Sequence, residues 1–356
     1  MTDCGFPVIK YEASESPREW GLKHGESFRT GIRELAQIRT NLMREKNPGL
    51  NDARIERLAA EQWKITQLFD AKLGEELSGI ADGADVSKAD IVVVNNYTDF
   101  RDIHVPDQGC SLAYANAGKN PIAGQTWDMH GSAKNYVCCI DIPRPNDGRV
   151  VAFSVVGCVG MMGYNSHGGM LGVNNINTDG ATVGAMWPAI VRRVLEQENF
   201  ASMAKWLTES PKTSGHNYLI AFEDQADMWE VAPGLNDRVD YKDKGEIGTM
   251  FHTNHCLGEE MKKREAVLAQ NSTTYIRYDL LEKKIAGVTD FGSMVDLMND
   301  HENYPKSICS NFQSDSQDPS VTCGGAAGDL VKGNVMMWRG DKLHDENYVE
   351  HSFQLR

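Results

Sequence analysis

The chain has 356 residues, 36 Lys and Arg against 50 Asp and Glu, a net charge of −14 and 41% hydrophobic residues. That composition is the one expected of a soluble globular protein and excludes disordered, collagen-like and coiled-coil classes. The negative excess argues against a nucleic-acid backbone or an anionic membrane as partner.

No stretch approaches the roughly 18–20 apolar residues of a membrane-spanning helix. The opening residues carry Asp3 and no basic-then-apolar leader pattern. A cytoplasmic location is therefore expected, with the eight cysteines mostly reduced.

In chain order, a short strand at Phe6 to Tyr11 precedes a helix started by Ser16, Pro17 and Glu19, a capping pattern with proline at the first helical position. Phe28, Ile32, Leu35, Ile38 and Leu42 recur at helical spacing, and Asn47-Pro48-Gly49 ends that helix. Leu58, Ile65, Phe69, Leu73 and Leu77 predict one further helix closing near Gly79, and the β-branched run Ile91 to Val94 predicts a buried strand or a helix–strand boundary. Asp102 to Gly109 is polar with Pro and Gly, hence an exposed loop.

Strands are then expected at Cys110–Ala117, Ile122–Asp128, Tyr136–Ile142, Val150–Val156 and Gly169–Ile176. Helices at Pro188–Glu198 and Phe200–Thr208 separate these from strands at Asn217–Phe222, Asp227–Val231 and Gly248–Thr253. A helix-rich stretch, Glu260–Asn299, precedes a last strand at Asn334–Arg339. The glycine-rich Gly324-Gly325-Ala326-Ala327-Gly328 lacks the Lys-Ser/Thr of a phosphate loop and reads as a flexible loop. Strands with helices before, between and after them indicate α+β, in one domain spanning 1–356.

Three places could carry chemistry. Gly118-Lys119-Asn120-Pro121 is a turn between two strands, and a hairpin centred there sets Cys110 opposite Asp128 or Met129. A thiol beside a carboxylate is a nucleophile pairing, and it is equally a small packing residue beside a turn acid. His252, Asn254 and Cys256 alternate onto one face of a strand, where a buried Asn either donates to a developing oxyanion or simply satisfies the backbone. The same alternation sends His252 and His255 to opposite faces, which disfavours a metal site there. Asn174-Asn175 ends an apolar strand, as a turn or as an amide aimed into a cleft. No CxxC, HExxH, GxSxG or GxGxxG motif is present.

Taken together, Gly109-Cys110-Ser111-Leu112-Ala113-Tyr114, Gly124-Gln125-Thr126-Trp127-Asp128, Asn165-Ser166 through Asn174-Asn175, Ser214 to Tyr218, His252 to Leu257 and Asn303 to Cys309 follow an ordered pattern. The chain resembles the isopenicillin N acyltransferase family (acyl-coenzyme A:6-aminopenicillanic acid acyltransferase), self-processing members of the N-terminal-nucleophile (Ntn) hydrolases. The resemblance implies a four-layer αββα sandwich and a zymogen that cuts itself between Gly109 and Cys110 into 1–109 and 110–356, which stay associated.

It implies Cys110 as nucleophile, Asp128 as partner of the freed amine, and Asn174 and Asn254 as oxyanion donors. Asn175, Asn217, His252 and Tyr304 lie within the matching blocks and are the candidates for substrate contacts. The expected reaction is hydrolysis or transfer of the acyl group of a small N-acyl compound through an acyl-Cys110 thioester. No metal and no bound cofactor is expected; acyl-coenzyme A would enter only as a substrate. The alternatives are acyl-coenzyme A-dependent transfer of the penicillin side-chain-exchange type and a catalytically silent relative that binds a small ligand. A homo-oligomer is compatible with the sequence.

Overall fold

The computed structural model describes residues 1–356 except 48, 103–108, 118–119, 242–247, 269–271 and 312–317. Strand β1 (Val8–Lys10) leads into five helices, α1 (Pro17–Ser27), α2 (Arg29–Lys46), α3 (Asp52–Phe69), α4 (Ala71–Ala84) and α5 (Lys88–Asp102). The capping box of Ser16 and Glu19 opens α1.

Two expectations fail in this region. The single helix expected through Leu77 is two, because Asp70 is extended and its carboxylate accepts from the backbone N–H groups of Lys72 and Leu73 to start α4. The strand expected at Ile91–Val94 is helix. Ser87 and Asp90 cap its first turn reciprocally, at 3.0 and 3.1 Å. Residues 91–94 are fully buried, so packing on all sides overrides their β-branched preference. Of the loop expected at Asp102–Gly109, residues 103–108 lie outside the described residues.

Strands β2 (Cys110–Ala117), β3 (Asn120–His130), β4 (Val137–Pro143), β5 (Arg149–Val155), β6 (Met162–Asn165) and β7 (Met170–Asn175) come next. Helices α6 (Trp187–Leu195) and α7 (Phe200–Glu209) precede β8 (His216–Ala221), β9 (Ala226–Ala232), β10 (Leu235–Arg238) and β11 (Thr249–His252). Helices α8 (Glu259–Lys262), α9 (Thr274–Lys284) and α10 (Phe291–Met298) lead to β12 (Ser320–Asp329), β13 (Asn334–Arg339) and β14 (Val349–Gln354).

The strands form an eight-stranded sheet, β1-β4-β5-β6-β7-β8-β9-β10, and a six-stranded sheet, β11-β2-β3-β12-β13-β14. Side-chain alternation along β2 and β3 separates the layers. Leu112, Tyr114 and Ala123 join the core with Phe153, Tyr164 and Met170 of the larger sheet. Their neighbours Ala113, Ala115 and Ile122 pack instead with Leu281 of α9 and Met294 and Met298 of α10. On the far side of the larger sheet, α6 packs against β6 and β7. The result is the expected helix–sheet–sheet–helix sandwich.

The expected loop at Gly324–Gly328 is the middle of β12, paired with β3 on one side and β13 on the other. Its glycines make room for aromatic rings: a Cβ on Gly325 would lie 2.5 Å from Trp338 and one on Gly328 2.4 Å from Tyr164. The β2–β3 register also differs from the expected one. Cys110 pairs with Trp127 and Ala117 with Asn120, because pairing closes more tightly around the turn. Asp128 therefore stands opposite Gly109, whose carbonyl accepts from the Asp128 N–H at 2.9 Å.

Candidate active site

Cys110 is the first residue of β2 and sits where the two sheets meet. A side-chain clamp holds the sheets together beside it. The Gln125 amide of β3 donates to Val173 O of β7 at 2.6 Å and accepts from Val173 N–H at 2.7 Å, imitating a peptide group. A small pocket of about 20 Å³ lies beside Cys110 and Gln125. Trp127, Phe153, Met161, Met162, Val173 and Trp187 give it apolar walls, with polar edges from Thr98, Asn175 and His216. His216 is held neutral: burial brings its pKa down to about 3.

The Cys110 backbone N–H donates to Asn254 Oδ1 at 2.9 Å. That oxygen also accepts from Arg277 Nη2 at 2.8 Å, while Asn254 Nδ2 donates to Asn175 O at 2.8 Å. Arg277 Nη1 donates to Cys110 O at 2.6 Å and to Ser111 Oγ at 3.2 Å, and Nε to Thr273 Oγ1 at 3.0 Å. A buried guanidinium thus fixes the first peptide of β2 and the amide that receives its N–H.

Asp128 is buried, and its Oδ1 accepts from the Thr322 hydroxyl at 2.6 Å. Its Oδ2 has no hydrogen-bond partner among the described residues and faces Gly109, where a Cβ would come within 2.5 Å of it. Burial raises the Asp128 carboxyl above the usual range, opposed by the Arg277 charge and the Thr322 hydroxyl. Burial, then the Asp128 charge, pushes the Cys110 thiol up to about 12; the backbone N–H groups of Asp128 and Asn175 and the Arg277 charge pull the other way. The thiol is protonated at neutral pH, so its attack needs a base.

Of the residues singled out in the sequence, Gly109, Cys110, Asp128, Asn175 and Asn254 come together. Asn217 Nδ2 donates to Asn174 Oδ1 at 3.1 Å, next to this group on β8 and β7. Asn174 Nδ2 has no partner among the described residues. The expected shared face of His252, Asn254 and Cys256 does not form, because β11 ends at His252. Asn254 turns to Cys110, whereas Cys256 packs with Ile176, Ala232 and Met261. His252 is fully buried and pairs with Glu230 at 2.8 Å. Tyr304 lies on an exposed loop, accepting from Asn311 Nδ2 at 3.1 Å. Neither His252 nor Tyr304 lines the pocket.

Sequence reasoning missed Arg277, Thr322 and the aromatic walls. Arg277 had a readable mark: it falls three and four residues before the buried Leu280 and Leu281, a charge on the apolar stripe of α9. Thr322 had none, since its position depends on a bulge in the β12–β3 pairing between Thr322 and Gly324.

Comparison with known proteins adds to this geometry. The acyl-coenzyme A:6-aminopenicillanic-acid-acyltransferase 40 kDa form of Emericella nidulans is 23% identical over 303 residues, covering 84% of this chain and 83% of that protein. Among solved structures, a mutant conjugated bile acid hydrolase from Clostridium perfringens aligns with a TM-score of 0.44 at 12% identity, over 69% of this chain and 92% of that one. Penicillin V acylase from Agrobacterium tumefaciens aligns with a TM-score of 0.34 at 12% identity, over 69% and 86%. The family model for acyl-coenzyme A:6-aminopenicillanic acid acyl-transferase matches residues 115–325, more than half of the 356, and the chain belongs to that family.

Proposed function

We propose that this protein is a self-processing cysteine amidohydrolase that cuts itself before Cys110 and then cleaves a small N-acyl amide whose apolar acyl group occupies the pocket beside the thiol. The observation that carries the reading is the convergence on Cys110: an apolar pocket at its side chain, Asn254 Oδ1 on its backbone nitrogen, and the Asp128 N–H on the carbonyl of the preceding Gly109.

In the first step the Cys110 sulfur attacks the carbonyl carbon of Gly109. The C–S bond forms, the Gly109–Cys110 peptide bond breaks, and the thiol proton ends on the departing amine, with the Asp128 carboxylate as carrier. The Gly109 oxygen already accepts from the Asp128 N–H at 2.9 Å, which stabilises negative charge as it develops there. Water then hydrolyses the thioester, leaving a Gly109 carboxylate, a free thiol and a new α-amine.

That amine has a reference pKa of about 8 and serves as base for its own thiol. Asn254 Oδ1 and Asp128 Oδ2 are the acceptors that orient it. In turnover the same sulfur attacks the substrate amide, the amine protonates the leaving group, and water releases the acid.

Transfer to an amine from acyl-coenzyme A is the second reading, favoured by the activity for which the Emericella relative is named. Hydrolysis is preferred because, among the described residues, no Lys or Arg lines the pocket to meet a polyphosphate. The test is mass spectrometry after reaction with a thiol-directed N-acyl probe. Acylation at Cys110 of the 110–356 fragment, released by water and undiminished in rate without coenzyme A, is expected; no adduct at Cys110 refutes the assignment, and turnover only with coenzyme A favours transfer.

A further inference from the structure

A second convergence of reactive side chains lies away from the pocket, where the connection from α10 to β12 meets the connection from β13 to β14. His301, Cys309 and Asp341 each offer one ligand atom, and these atoms all lie within 4.8 Å of one another. His301 Nε2 is 2.8 Å from Asp341 Oδ1. The Cys309 thiol is buried, and its sulfur lies within 4.8 Å of the same carboxylate. Asp341 Oδ1 also accepts from the N–H groups of Leu343 and His344, at 2.9 and 3.2 Å, which anchors the carboxylate and leaves Oδ2 for another partner. His344 is exposed, and its ring centroid is 5.1 Å from that of His301.

We propose that His301, Cys309 and Asp341, with His344 as fourth ligand, form a zinc site that staples the α10–β12 connection to the β13–β14 connection. Imidazole nitrogen, thiolate and carboxylate oxygen are the donors of tetrahedral zinc, whose bonds of about 2.0–2.3 Å place its ligands roughly 3.3–3.8 Å apart. Among His301, Cys309 and Asp341 the most distant pair needs to contract by no more than about 1.5 Å by that measure, while the His301–Asp341 pair at 2.8 Å opens slightly. Calcium and magnesium take oxygen ligands and are disfavoured by the sulfur and nitrogen. One thiolate and one carboxylate neutralise the divalent ion. Binding releases the Cys309 proton and moves the His301 proton from Nε2 to Nδ1, so one proton leaves per metal.

The four ligands come from two surface connections and close on each other, with an aromatic lid from Tyr304, whose ring centroid is 4.4 Å from that of His344. A closed ligand set of this kind holds structure rather than substrate. It also lies behind the candidate active site: the N–H of Ser310, the residue after Cys309, donates to the Thr322 hydroxyl at 2.8 Å, and that hydroxyl donates to Asp128 Oδ1.

The full chain, purified and stripped of metal, tests the proposal by titration with cobalt(II) and then zinc. The expected result is one cobalt per chain with a thiolate-to-metal charge-transfer band, displaced by zinc, and a thermal midpoint that rises with added zinc. The band is lost in Cys309→Ser and His301→Gln, weakened in affinity by roughly tenfold or more in His344→Ala, and kept in Cys110→Ser and Cys4→Ser. A chain that binds no cobalt, or whose band survives Cys309→Ser, overturns the site; unchanged affinity in His344→Ala overturns the fourth ligand.

Discussion

Replacing Thr322 by valine isolates one contact on the carboxylate that the proposed chemistry depends on. The Thr322 hydroxyl accepts from the Ser310 N–H at 2.8 Å, which leaves its own proton directed at Asp128 Oδ1, 2.6 Å away. A hydrogen bond to a charged group contributes about 1.5–3 kcal/mol. Its loss therefore raises the Asp128 pKa. The sign follows from the opposing influences already present, since Thr322 lowers a carboxyl that burial raises.

Asp128 acts as the anion, so activity falls as it protonates. The acid limb of the pH–rate profile for self-cleavage and for amide turnover therefore moves to higher pH by the same amount in Thr322→Val. Thr322→Ser restores the hydroxyl and returns the limb toward the wild-type position, which a packing defect would not do. A folded Thr322→Val protein whose acid limb coincides with that of the wild type refutes the reasoning.

Gly109→Ala sets a methyl group 2.5 Å from Asp128 Oδ2, so that the carboxylate or the Gly109 peptide must shift. Self-cleavage slows by roughly tenfold or more, since a displacement of this size at a reacting centre costs on the order of 10²-fold; equal precursor half-lives on a denaturing gel would contradict it. A separate prediction concerns acid stability. Burial, with the Arg192 charge adding to it, lowers His24 from 6.5 to about 3, and its Nε2 accepts from the Gly157 N–H at 2.9 Å. The native state refuses a proton that the unfolded chain takes, so this contribution is complete above pH 6.5 and is lost as pH falls toward 3 at about 1.4 kcal/mol per pH unit. Denaturant titrations of His24→Asn should show a shallower loss over that range, and an unchanged slope would remove His24 from the account.

The strands flanking the nucleophile were readable because their signals are local. Cys110–Ala117 and Asn334–Arg339 have the predicted bounds, set by alternation and by flanking Gly, Pro and Asn. The failures lie where distant packing decides. Ile91–Val94 looks like a strand to its neighbours in sequence and is helical because it is enclosed on every side. Gly324–Gly328 looks like a loop because the rings of Trp338 and Tyr164 that fill the space above it are remote in sequence.

The candidate site divides in the same way. Gly109, Cys110, Asp128 and Asn254 were legible as residues, but their register was not. A shift in hairpin pairing moves Asp128 from Cys110 to Gly109, which changes its reading from a neighbour of the thiol to a neighbour of the scissile peptide. The pocket walls come from β3, β5, β6, β7, α6 and the residue before β6, which are spread over about sixty positions of the chain.

The central claim is that the chain cuts its own Gly109–Cys110 bond. Intact-mass measurement of the freshly purified protein under denaturing conditions addresses it directly. The account predicts fragments 1–109 and 110–356 whose summed mass exceeds the 39.5 kDa chain by one water, and a single uncut species for Cys110→Ala. A wild-type chain that stays whole at 39.5 kDa, or a Cys110→Ala chain cut at the same bond, would contradict it.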